Sequence, residues 1–149
     1  MRASACAGAG FLLAVLWFDL MFDIQVVPHR GRELPADVLD SIAGYYRRVT
    51  SAARPMNRLI ACVMLATLAA LVTELARGQE PGWVGWASIV LAGAPVVLAG
   101  TRTVPSAVRL GSRVDPTVHQ SALARSIWRE HLFCLSSIAA LLVLQLALA

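Results

Sequence analysis

Four long apolar runs, at about 5–27, 56–76, 83–101 and 127–149, decide what this chain can become. Each suffices to cross a bilayer, because about 20 helical residues span the hydrocarbon. In lipid a run of this kind must satisfy its own backbone N–H and C=O groups, which it does as a helix. The expected fold class is therefore all-α: a single transmembrane domain over 1–149, built as a four-transmembrane-helix bundle. Hydrophobic residues make up 58% of the chain, above the roughly half found in soluble domains, and they are gathered in the runs.

The first run resembles a secretory signal superficially, with Arg2 ahead of Ala3 to Trp17. Its apolar character continues to Val27, and no A-x-A-like site follows at the right place. An uncleaved first helix is expected. The second run opens just after Pro55, where a missing N–H costs nothing. Trp83 and Trp86 suit an aromatic belt at the membrane surface, and Pro95 is a candidate kink. Gly8, Gly10, Gly93 and Gly100 are candidates for close helix approach.

The connections are unequal. Residues 77–82 form a tight turn, whereas 28–55 and 102–126 are long. The first long loop carries Arg30, Arg32, Arg47, Arg48 and Arg54; the second carries Arg102, Arg109, Arg113 and Arg125, with Arg129 just beyond it. The tight turn has only Arg77 and the N-terminus only Arg2. The positive-inside rule puts both long loops in the cytoplasm. The expectation is a multi-pass protein of the bacterial inner (cytoplasmic) membrane, with both termini on the periplasmic side. All 13 basic residues are arginine, as a GC-rich bacterial coding sequence would give. The net charge of +4 follows from this membrane orientation. No aromatic-and-basic platform for nucleic acid is present.

Both long loops carry structure. Leu34-Pro35-Ala36-Asp37 reads as a helix start, and Val38, Leu39, Ile42, Tyr45, Tyr46 and Val49 recur at roughly helical spacing. Asp40, Arg47 and Arg48 fall on the opposite face. An amphipathic cytoplasmic helix between helices 1 and 2 is expected, with Tyr45 and Tyr46 as interface anchors. Val104 to Leu110 reads as a continuation of helix three, and Val118 to Ser126 as a lead into helix four.

Ionisable residues within a span are costly and are functional suspects by default. Here they share a depth. Asp19 and Asp23 lie four residues apart on one face of helix one. Asn57 and Arg58 open helix two, Arg102 closes helix three, and Arg129, Glu130 and His131 open helix four. Two carboxylates on one face need a nearby cation, which Arg58 or Arg129 is expected to supply. Asp19, Asp23 and His131 are the catalytic candidates; Asn57, Arg58, Arg102, Arg129 and Glu130 complete a ligand or ion-pair cluster. Adjacent Glu130 and His131 point about 100° apart on an ideal helix, and the Glu-x-x-His spacing of di-iron sites is absent; no metal site is assigned. Cys6, Cys62 and Cys134 form no paired-cysteine motif. His29 is expected at headgroup level and His119 in solvent.

A first helix ending in Pro28, then ELPADVLDSIAGYYRRV, RPMNRLIACVMLATLAA and WREHLFC, resembles small four-helix bacterial membrane proteins of the anthrone-oxygenase-like family. The likeness covers most of the chain in layout. It implies an oxygenase-like activity on polycyclic aromatic substrates without an evident cofactor, as for some members. No catalytic motif transfers with it.

Two functions stand against each other. The leading one is a non-catalytic accessory or structural subunit, joining a protein partner or a copy of itself in the bilayer through small-residue helix faces. The alternative is a small membrane enzyme acting on a lipophilic substrate at the polar cluster in the cytoplasmic half. A transporter ranks third, since four helices would have to assemble to make a path. Neither a substrate nor a cofactor is specified.

Overall fold

Prolines set most of the helix starts. In the computed structural model, which describes residues 2–31, 33–52, 54–78 and 81–147, six α-helices follow one another with no strand among those residues. They are α1 (Arg2–Asp23), α2 (Ala36–Arg47), α3 (Arg54–Ala76), α4 (Gly82–Leu98), α5 (Val104–Ser112) and α6 (Thr117–Ala147). Pro35 and Pro81 directly precede α2 and α4, while Pro55 and Pro105 are the second residues of α3 and α5. At these places a fixed φ helps and a missing donor does no harm. Gly78, with φ of 61°, closes α3 in the left-handed conformation that glycine adopts freely. Arg32, Gln79 and Glu80 of the loops, the side chain of Arg54 and the last two residues of the fourth apolar run lie outside the described residues.

Four helical stretches are long and apolar enough to cross a membrane: Arg2–Val26, Pro55–Ala76, Gly82–Ser112 and Thr117–Ala147. The third runs from α4 into α5 without a loop, through a widened π-type turn at Ala99–Thr103 that follows the buried Pro95. A second widened turn, Arg48–Ala52, follows directly on α2. The expected lead-in at 118–126 is continuous with the fourth run, so α6 has 31 residues. At 1.5 Å per residue that is about 46 Å, more than the roughly 30 Å of hydrocarbon.

Helix α1 packs on α3 and α6, and α4 packs on the same two. Antiparallel order then gives the body a short-turn end, where α3 passes to α4, and a long-loop end. Near the short-turn end the core is Ala5, Ala9, Leu12, Ala70, Leu71, Ala92, Ile138 and Leu141. At the long-loop end α2 and α5 lie together, and Leu39, Ile42, Ala43, Ala107, Leu110 and Ile127 form a second core. The approach there is close: a Cβ on Gly111 would sit 2.8 Å from the backbone nitrogen of Arg47. Outward faces of the long helices are apolar, as at Trp17, Phe18, Leu65, Val90 and Val143.

Candidate functional site

Helix α1 carries Asp19 and Asp23 one turn apart, and α2 returns across them with Tyr45 and Tyr46. Each tyrosine takes one aspartate. Tyr45 Oη donates to Asp19 Oδ1 at 2.6 Å, and Tyr46 Oη donates to Asp23 Oδ1 at 2.6 Å. Burial, then the neighbouring carboxylates, push both phenols above the usual tyrosine range, so they remain donors. Phe22 stacks on Tyr45 with ring centroids 4.0 Å apart, which fixes the first of the two rings.

The third element is α6. His131 Nδ1 donates to Asp23 Oδ2 at 2.6 Å. Asp23 is fully buried, and both its oxygens are engaged by side chains from other helices. A carboxylate in this position sets the tautomer and the plane of the imidazole. Across the ring, Nε2 lies 4.0 Å from Asp19 Oδ2, beyond direct hydrogen-bonding distance. The sequence-derived candidates Asp19, Asp23 and His131 therefore come together from helices 108 residues apart in the chain.

The rest of the proposed cluster divides. Glu130 is buried and is taken up by other partners, accepting from Thr103 Oγ1 at 2.8 Å and Ser126 Oγ at 2.9 Å. Arg102 reaches it only at 3.9 Å, with its own side chain 69% exposed. Arg58 and Arg129, expected to balance the aspartates, are exposed instead. Their long stems let the guanidinium leave an apolar environment, and His131 takes the position against Asp23. Asn57 donates to the Val49 carbonyl at 2.5 Å and holds the widened turn that follows α2. Among the described residues, no three His, Cys, Asp or Glu side chains converge as a metal site.

The cluster heads a cavity of about 390 Å³ between the four long helices. Asp19, Tyr46 and His131 form its polar head; Leu16, Ile60, Met64, Val96 and Ile138 form apolar walls. Asn57, Thr50, Thr103 and Cys134 also reach it. Such a space, mostly apolar with a few converging polar groups, is the usual form of a small-molecule site. Sequence reasoning missed Tyr45 and Tyr46 as site residues. Their spacing against Asp19 and Asp23 held the signal, since neighbours on one helix meet residues one turn apart on another. No protein-family model, curated protein or solved structure matches this chain.

Proposed function

We propose that the chain is a small membrane enzyme that binds a lipophilic molecule in the 390 Å³ cavity and moves a proton at His131 Nε2. One observation carries this: the Tyr46–Asp23–His131 series of hydrogen bonds ends on that cavity. Asp23 acts as a positioning residue, holding the Nδ1 proton so that Nε2 is presented to the substrate. His131 accepts a proton from a C–H or O–H acid there, and Asp19, 4.0 Å away, offsets the imidazolium so formed. An oxygenase-like activity, as the family resemblance implies, would begin with this proton transfer and use dioxygen as a second substrate and oxidant.

In this proposal the four long helices form a transmembrane bundle in the bacterial inner membrane. The arginine-rich loops face the cytoplasm and both termini the periplasm. Helix α2 is the amphipathic cytoplasmic helix, and the site lies in the inner half of the bundle.

The test compares the lipid-phase small molecules of native membranes carrying the wild type, His131→Gln or Asp23→Asn at matched protein abundance. A lipophilic product lost in both variants is expected. Loss that merely follows protein abundance, or no loss, would sink the enzyme. A non-catalytic subunit has its own support. Cβ atoms at Gly10, Gly93 and Gly100 would meet nothing within 4 Å, which leaves small-residue surface for a second chain. A stoichiometric protein copurifying in mild detergent would favour that role.

A further inference from the structure

The walls of the cavity carry very little charge. Among the described lining residues, Asp19 and His131 are the only members of the Asp, Glu, Arg and His group, and no arginine is present. This is notable in a chain with 13 arginines concentrated toward the same end. An anionic head in the cavity would meet Asp19 with no described guanidinium to offset it. A cationic head would compete with His131 for two carboxylates that already accept tyrosine hydroxyls. A neutral polar head can hydrogen-bond at Nε2 without adding charge.

The mouth is equally specific. Val104 and Val108 on α5 line the cavity yet are 55% and 50% exposed. Ala61 on α3 lines it and is exposed as well. The opening therefore runs between α3 and α5, with an apolar rim. Both widened turns border the cavity, one through Val49 and Thr50, the other through Ala99 and Thr103. Local widening of a helix is often found at functional sites.

We infer that the cavity's occupant enters from the lipid at the inner membrane surface, between α3 and α5, and is an uncharged amphiphile; fatty-acid-like and amine-like molecules of the same length are turned away. This rests on the proposal that the cavity binds a lipophilic molecule, and it adds charge selection and a route.

The experiment uses the full chain in lipid nanodiscs and three aliphatic diazirine photoprobes. They share one alkyl chain and end in a hydroxyl, a carboxylate or a quaternary ammonium. Crosslinks are mapped by mass spectrometry. The hydroxyl probe is expected to label wall residues such as Ile60 and Met64 about tenfold or more above the charged probes, because an unpaired charge is costly to bury. Excess 1-decanol should suppress that labelling. Equal wall labelling by the carboxylate or ammonium probe would overturn charge selection while leaving the cavity as a binding site. Labelling confined to lipid-facing residues such as Phe18, for all three probes, would overturn lipophilic binding itself. Val108→Trp, placed at the rim, should cut wall labelling by the hydroxyl probe about tenfold by steric exclusion. Unchanged labelling in that variant would overturn the route.

Discussion

Near the short-turn end, Gly8 on α1 lies so close to Thr67 on α3 that a Cβ would collide with the hydroxyl, and a Cβ on Gly85 would stand 2.7 Å from Leu75 Cδ1. From the middle of the bundle to the long-loop end the same four helices stand far enough apart to leave a cavity of about 390 Å³. Side chains bridge part of the gap with charge-assisted hydrogen bonds of 2.6 Å. Lipid gives helices no hydrophobic reason to associate, so each end must be held by packing or by polar contact. The short-turn end uses mainly the first, and a Gln145–Ser88 hydrogen bond of 2.9 Å adds to it. The long-loop end uses the second and thereby keeps a space open. The division teaches that polar contacts can hold helices apart at a fixed distance, which close packing cannot do.

The largest expected effect tests the polar end. Asp23→Ala removes the acceptor that Tyr46 and His131, both buried, share. Breaking a buried pair in this way costs about 3–5 kcal/mol. Reversible unfolding in bicelles, by titration with a denaturing detergent, measures it. Asp23→Asn keeps an acceptor oxygen and should recover part of the loss. If Asp23→Ala unfolds like the wild type, the polar contacts do not hold that end and the contrast between the two ends falls.

The packed end comes next. Gly85→Ala makes the flexible end of Leu75 swing away and its Cβ, 3.2 Å off, give slightly, so the cost falls at the low end for overpacking, about 1 kcal/mol. Gly93→Ala, with nothing within 4 Å of its Cβ, should change stability by less than about 0.5 kcal/mol. The pair is measured by the same unfolding titration. Similar values for the two would mean that close approach at Gly85 is not what holds α3 to α4.

How these ends divide was only partly legible in the sequence. The long runs and the one-sided arginines are strong signals because a bilayer penalises any departure from them. Asp19, Asp23 and His131 stood out for the same reason, as ionisable groups in apolar stretches. Tyr45 and Tyr46 did not, because a tyrosine beside arginines suits a membrane surface equally well. Only the return of α2 over α1 turns them into partners for the aspartates. The expected role of Arg58 and Arg129 failed to allow for side-chain length: a guanidinium on a long stem can leave the interior, an imidazole cannot. The cavity left no sequence signal. It arises where four segments diverge beside Pro95 and two widened turns, and no single window encodes that.

Tyr45→Phe sharpens the polar side of the comparison. It deletes the bond to Asp19 but retains the ring on Phe22. Side-chain hydrogen bonds inside membrane proteins average about 0.6 kcal/mol, so the loss should be well below that of Asp23→Ala. The same unfolding titration reads it. A loss as large as that of Asp23→Ala would make Asp19, not Asp23, the main anchor of α2.

The smallest effect lies at the loop end of α5 and shows what a polar contact contributes where the guanidinium is exposed. Arg109 donates to Asp115 through Nε at 2.6 Å and Nη2 at 2.7 Å, tying α5 to the turn before α6. The hydrogen bonds from Arg109, with its charge, hold the Asp115 carboxyl below its ordinary value of 3.8. A depressed folded-state value means the carboxylate adds stability above 3.8 and loses it as pH falls below that value toward the folded one. The direction is therefore destabilisation by acid, confined to the region below 3.8. Exposure and salt screening keep it small. Unfolding of the wild type and of Asp115→Asn should differ slightly at neutral pH, converge below 3.8, and differ less in high salt. A difference that survives both acid and salt would place the role of Asp115 in the shape of the turn. The paired charges at the exposed end of α5 would then have no counterpart to the contacts around Asp23, which is fully buried.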